Sequence, residues 1–242
     1  MKREYHKWFS GHLKREMEFL VFGHAGRPVL FFPTRTARFY DYEDWKVIEA
    51  VQDKIERGEI QVYCIDSIDH ESFYCKEVTP AERIQRHIQF EKYILFELLP
   101  FVKYKNNHPF IIAAGCSLGA YHALNIALRH PLCFNKVLAM SGRYDLTLKM
   151  DFFDDLFDGF RNEDIYFHMP SQYIPLINDQ NYLNQIRKLD ITLVIGEEDT
   201  FLENNQQLHD TFNRKNIPHH FYTWEGEAHK AKYWKEMLRL YL

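Results

Sequence analysis

The stretch Phe110-Ile111-Ile112-Ala113-Ala114-Gly115-Cys116-Ser117-Leu118-Gly119-Ala120-Tyr121-His122-Ala123 narrows the possible folds of this chain most sharply. A short apolar run meets G-x-S-x-G, and a helical pattern follows. Such spacing has a physical cause. The chain must reverse from strand to helix in very few residues, which puts the central Ser117 in strained backbone geometry. Side chains two residues before and after it would collide with the turn, so Gly115 and Gly119 are expected there. The hydroxyl then projects beyond the strand's C-terminal end, where the new helix aims free N–H groups and its positive dipole. Cys116 is the more acidic side chain, but it lies off the centre of the turn and is expected to pack as a small hydrophobe. A tight strand-to-helix turn built from small residues would read the same way without any chemistry.

The rest of the chain supplies a matching frame. Strand-like runs at 4–9 and 16–22 flank Ser10-Gly11 and suggest a hairpin. Short apolar runs at 29–32, 60–66, 109–114, 136–140, 191–195 and 219–224 suit strands buried on both faces. Helical patterns lie between them. At 41–57, Trp45, Ile48, Val51 and Ile55 share one face and Gly58 is the stop. Thr79-Pro80-Ala81-Glu82 has the form of a capping box for a long helix ending or kinking near Pro100. Further helices are expected at 118–130, from Thr200-Phe201-Leu202-Glu203 to about Arg214, and at 231–241. Strand and helix in alternation imply a mostly parallel sheet with helices on both faces and the hairpin as its antiparallel edge. No repeat or linker divides residues 1–242, so one domain is expected. At about 144–188 the rhythm breaks into an aromatic, acidic stretch (DFFDDLFDGF) followed by Pro170 and Pro175. It reads as a cap over the sheet, or equally as an irregular connection with one or two short helices.

A serine hydroxyl is a weak nucleophile without a base, and the base needs an orienting acid. On a strand–turn–helix nucleophile the chain order is Ser, acid, His. Asp199 fits the acid, in the loop after the 191–195 strand and just before Thr200, the expected cap. Glu197 and Glu198 compete for the role. His229 fits the base, since it follows the last strand through Gly226 and precedes the final helix. His168, in the 144–188 segment, is the alternative. The oxyanion hole needs two backbone donors. Leu118 N–H is one candidate. Arg35 N–H, with Thr36 close behind, is the other, in the loop after the 29–32 strand. The Arg35 side chain could also bind an anionic substrate group.

At this point the sequence resembles the esterase D-type branch of the α/β-hydrolases, which includes S-formylglutathione hydrolases, feruloyl esterases and mycolyltransferases. Within that branch it looks closest to a bacterial set of esterases. The segments that carry the likeness are Val29-Leu30-Phe31-Phe32-Pro33-Thr34, Arg38-Phe39-Tyr40-Asp41-Tyr42-Glu43-Asp44, the Ser117 segment through Ala123, and Tyr233-Trp234 after His229. The resemblance implies the α/β-hydrolase fold, ester hydrolysis through an acyl-enzyme, no cofactor, and Ser117, Asp199 and His229 as the triad. Two departures stand out. Relatives carry glycines after the Pro33-Thr34 position, where this chain has Arg35-Thr36-Ala37. They often have Asp-Trp after the histidine, where this chain has Lys230-Ala231-Lys232.

Other functions are constrained by composition. Net charge is -4 with no basic block, so nucleic acid is not an expected partner. No run approaches the roughly 18 apolar residues that span a bilayer, so no membrane partner is expected either. The charged opening MKREYHKWFSGHLKREMEF lacks the apolar centre of a secretory signal. Cys64, Cys75, Cys116 and Cys133 form no CxxC pair and read as reduced thiols. Both features suggest a cytoplasmic protein. Neither G-x-x-x-x-G-K-[ST] nor G-x-G-x-x-G is present, which leaves nucleotide binding without support. His219 and His220 would point to opposite faces of a strand, and Asp66, Asp69 and His70 read as loop or pocket-wall residues, so no metal is expected. The expected partner is a small-molecule ester, with a homodimer permitted by the exposed hairpin. Acyl transfer on the same triad, and a catalytically silent binding protein on the same fold, are the alternatives.

Overall fold

In the computed structural model, which describes residues 1–150 and 152–242, eight strands form one sheet in the order β1-β2-β4-β3-β5-β6-β7-β8. They are β1 Arg3–Ser10, β2 Arg15–Phe22, β3 Arg27–Phe32, β4 Ile60–Ile65, β5 Ile112–Cys116, β6 Lys136–Met140, β7 Asp190–Gly196 and β8 His220–Trp224. β1 and β2 pair antiparallel as the expected hairpin, and β2 runs antiparallel to β4. Every other pairing is parallel. The sheet is therefore the mostly parallel one anticipated from the sequence. Asp151, the first residue of the acidic, aromatic stretch, lies outside the described residues.

Alternation along the central strands sends apolar side chains to two cores. Val29, Phe31, Val62, Cys64, Ile112 and Ala114 pack on one face. There they meet Tyr42 of α1 (Asp41–Asp44), Ile55 of α2 (Gln52–Glu56) and Trp234, Met237 and Leu238 of α10 (Ala231–Tyr241). Leu30, Phe32, Tyr63, Ile65 and Ala113 face the opposite way. They meet α3 (Pro80–Tyr93), α5 (Leu118–Arg129), α8 (Gln180–Ile186) and α9 (Leu202–Arg214).

Three helical expectations change. The 41–57 pattern is not one helix: Lys46 takes φ +56, and a 3-10 turn at Glu49–Val51 separates α1 from α2. The break turns Tyr42 into the core, with Val47 and Ile48 N–H groups bonded to its carbonyl, and leaves Trp45 exposed. The capping box at Thr79 forms as expected. The helix it starts passes Pro100, however, by widening through a π turn at Ile94–Leu98. There Leu99 N–H reaches Ile94 O, and α4 (Leu99–Lys105) follows. Thr200 caps nothing. The N-cap of α9 is Phe201, and the Asp199 carboxylate accepts the Phe201 N–H at 2.9 Å instead.

β5 also starts later than expected. Phe110 and Ile111 N–H groups bond to His108 Nδ1 and Asn135 Oδ1 rather than to a neighbouring strand. Between Tyr144 and Lys188 lie short helices α6 (Glu163–Tyr166) and α7 (Pro170–Tyr173), a 3-10 turn (Ile174–Leu176) and α8. Leu146, Leu156, Phe157, Ile165 and Met169 of this segment form a third core with Leu118 and Tyr121 at the head of α5. Among the described residues no helix is long and apolar enough to cross a membrane. All four cysteines are free, with Cys64 and Cys116 buried.

Candidate active site

Parallel strands β3, β5, β6 and β7 end side by side, and their C-terminal loops converge. Ser117 occupies the turn from β5 to α5 with φ +56 and ψ -122, a region L-residues avoid. Its N–H is tied to Met140 O at 2.8 Å. The glycines do what the spacing demanded. A Cβ on Gly115 would sit 2.2 Å from Gly119 O, and one on Gly119 would sit 2.2 Å from Phe32 O. Gly119 thus lets the β3 end pass directly against the head of α5.

The chain brings two distant residues to Ser117. His229 Nε2 lies 3.0 Å from Ser117 Oγ, and His229 Nδ1 lies 2.7 Å from Asp199 Oδ2. With Nδ1–H donating to the carboxylate, Nε2 is left to accept from the hydroxyl. Asp199 is buried, and its other oxygen is held by Phe201 N–H. The loop carrying Asp199 closes tightly on the loop before His229, because a Cβ on Gly196 would meet Glu227 O at 2.1 Å. Glu197 and Glu198, the competing acids, are exposed, and neither bonds to His229, whose Nδ1 is paired with Asp199. His168, the competing base, is buried in a cluster with His87 and Glu91 instead.

The two oxyanion candidates after β3 are separated by geometry. Thr36 N–H already donates to Asp69 Oδ2 at 2.8 Å. Leu118 and Arg35 N–H groups have no acceptor among the described residues. Asp69 and Asp66, read from sequence as pocket wall, brace this loop from behind. Asp66 Oδ1 accepts from Arg38 Nε at 2.8 Å and from Phe39 N–H at 3.3 Å. Burial pushes the Asp66 carboxyl up, against the opposing pull of Arg38.

A cavity of about 290 Å³ opens over Ser117, Leu118 and His229. Thr34, Arg35 and Tyr74 form one wall, while Arg143, Leu146, Phe153, Phe201 and Trp234 form the rest. A wider surface hollow of about 600 Å³ between residues 49–56 and Arg239 is lined mostly by charged side chains and contains none of the candidate residues. Sequence reasoning missed Tyr74, Arg143 and Phe201. Arg143 had a usable signal, since it follows β6 at the C-terminal edge of the sheet, where ligands of open α/β sheets bind. Trp234 was noticed only as part of a resemblance. Here its indole N–H donates to Ser141 Oγ at 3.1 Å, and its ring lies 5.8 Å from that of His229. A buried acid, an imidazole and a hydroxyl in line can move a proton off the hydroxyl. Two free N–H groups beside them can receive a developing oxyanion.

The comparisons agree with this architecture. A family model described as "Putative esterase" matches residues 12–240. Among solved structures the chain is similar to a ferulic acid esterase, with TM-score 0.76 and 16% identity over 100% of this chain and 96% of that one. It is also similar to an S-formylglutathione hydrolase from Agrobacterium tumefaciens, with TM-score 0.75 and 14% identity over 98% and 91%. A third is the fluorophosphonate-binding serine hydrolase F of Staphylococcus aureus, with TM-score 0.67 and 15% identity over 98% and 95%. No curated protein matches the sequence. With nearly its whole length matched by the family model, the chain belongs to this esterase family, carboxylic-ester hydrolases of the α/β-hydrolase fold.

Proposed function

We propose that this chain hydrolyses small-molecule carboxylic esters through an acyl-enzyme on Ser117. His229 takes the hydroxyl proton as Ser117 attacks the ester carbonyl and returns it to the departing alcohol. Asp199 holds the imidazole tautomer and stabilises the imidazolium. The Leu118 and Arg35 N–H groups take up the charge on the carbonyl oxygen. A water activated by His229 then releases the acid. The single domain 1–242 uses the segment at 144–188 as a cap, with Leu146 and Phe153 closing the cavity from above. No cofactor enters the scheme.

The observation that carries this reading is the pair of contacts on one ring, 3.0 Å to Ser117 Oγ and 2.7 Å to Asp199 Oδ2. Rapid mixing with 4-nitrophenyl acetate tests it. The expected result is a burst of 4-nitrophenolate stoichiometric with the protein, followed by slower turnover, and no burst from Ser117→Ala. A folded wild type with neither burst nor turnover on any 4-nitrophenyl ester overturns it.

A further inference from the structure

The cavity wall holds two guanidiniums, Arg35 and Arg143, and no carboxylate. Arg143 is only 5% exposed. Its Nε donates to Asp145 O, and its Nη2 donates to the carbonyls of Leu146, Leu148 and Asp154. Nη1 donates to nothing among the described residues. Of its acidic neighbours, Asp145 and Asp155 are engaged elsewhere, while the Asp154 carboxylate lies exposed to solvent and makes no ion pair with it among the described residues. The Asp145 carboxylate accepts from Thr147 and Gln172. That of Asp155 accepts from the Phe157 and Gly159 N–H groups and pairs with Arg161. A buried cation held by carbonyl dipoles and the face of Phe201, 5.8 Å away, without a direct ion pair, is costly, and it gains strongly from an anion that completes its hydrogen bonds. Arg35 stands exposed at the mouth, 5.8 Å over the Tyr74 ring, with no ion pair among the described residues.

We infer that the ester taken by this cavity carries a second, anionic group, a carboxylate, bound between Arg143 in the wall and Arg35 at the mouth. The inference rests on the proposed ester hydrolysis only for which molecule occupies the cavity. Nε and Nη2 of Arg143 are accounted for by tying down the 145–154 loop, and the spare Nη1 edge is what a substrate anion would use. Leu146, Phe153, Phe201 and Trp234 give the intervening carbon chain or ring an apolar surface. The exposed Arg35 guanidinium presents paired donors that match a carboxylate, which a lysine does not, and Nη1 of Arg143 can add a single N–H to it.

Binding to Ser117→Ala, which cannot turn the ester over, tests this by calorimetry. One pair of probes is 4-nitrophenyl adipate (anion in the acyl part) against 4-nitrophenyl hexanoate. The other is 4-acetoxybenzoate (anion in the alcohol part) against its methyl ester. In at least one pair the anionic ester is expected to bind about 10-fold more tightly, as one good charge-assisted contact supplies. Adding Arg35→Gln is expected to shrink that ratio several-fold, and Arg143→Gln further. Arg35→Gln alone suffices if the buried replacement unfolds the chain. Wild-type kcat/KM is expected to favour the same probe, chiefly through KM. Equal affinity within both pairs, or a ratio indifferent to Arg35→Gln, overturns the inference. Anion-selective binding by Ser117→Ala with no hydrolysis by wild type would leave the subsite standing and defeat the proposed function instead.

Discussion

The Tyr42 hydroxyl accepts the Cys116 N–H at 3.1 Å and donates to Phe32 O at 2.9 Å, so one phenol bridges the ends of β3 and β5. Those strands part there, one into the Ser117 turn and the other into the Arg35 loop. The ring lies flat on Phe31, with centroids 3.9 Å apart. Tyr42→Phe keeps this packing but strands two buried backbone groups. The expected cost is about 2 kcal/mol, seen as a fall in Tm of roughly 4–8 °C for a chain this size. A kcat loss larger than any change in KM should accompany it. Thermal denaturation and steady-state kinetics on one preparation check both.

Gly119→Ala and Gly115→Ala should each destroy function. The new methyl would meet backbone at 2.2 Å in both cases, Phe32 O in the first and Gly119 O in the second. Backbone cannot rotate away as a side chain can, so the loop or the helix head must move. A misplacement of about 1 Å at reacting groups costs on the order of 100-fold in rate. Ester turnover, with circular dichroism to confirm folding, reads the outcome. Near-normal turnover by either variant would contradict the turn geometry.

Ser141 braces the backbone that leads into His229. Its hydroxyl donates to Ala228 O at 3.1 Å and accepts from Trp234 Nε1 at 3.1 Å, fixing the backbone just before His229, where Ala228 takes φ +48. Ser141→Ala should cost about 1–2 kcal/mol in stability and lower kcat roughly tenfold with little change in KM, since the imidazole loses its fixed approach. Urea melts and kinetics at saturating ester measure the two effects.

Acid should unfold this protein early. His87 and His168 are buried against each other, with ring centroids 5.2 Å apart. Burial is the leading cause that holds both in the neutral form, pushing His168 down to about 4 and His87 well below the usual imidazole range. The charges around them are Glu91, Arg129, His122 and His130. A histidine with a depressed folded pKa binds fewer protons folded than unfolded. Its contribution is therefore complete above about pH 6.5 and is lost as pH falls from there toward 4, at most about 3 kcal/mol for His168. Glu91, held below the usual carboxylate range by its His130 and Arg129 bonds despite burial, adds to the same loss below about pH 4.5. Urea midpoints from pH 7.5 to 4 should fall steadily, and His168→Gln should flatten the curve. A midpoint constant from pH 7 to 5 would contradict the buried-neutral assignment.

The frame was readable because central parallel strands must be apolar throughout and the Ser117 turn admits only glycine at two offsets. Chain order and loop position pointed to Asp199 and His229, and the fold brings His229 within hydrogen-bond distance of both Asp199 and Ser117. Local rules failed where tertiary bonds compete. Thr200 has the form of a cap, yet the Asp199 side chain reaches the helix start first. The 41–57 periodicity is helical, yet docking Tyr42 between two strands breaks it at Lys46. The choice between Arg35 and Thr36 turned on Asp69, 33 residues away from Thr36, which no local pattern reveals. The guanidinium of Arg143 likewise acquires meaning only from four carbonyls supplied by a loop without regular spacing.

His229 is expected to make the Ser117 hydroxyl abnormally nucleophilic. A fluorophosphonate offered to the folded protein, followed by peptide mass mapping, tests this most directly. One covalent adduct is expected, on the peptide bearing Ser117, absent from Ser117→Ala and slowed about 1,000-fold or more in His229→Ala, as for other hydroxyl–imidazole pairs. An adduct on a different residue, or none on a folded wild type, would contradict it.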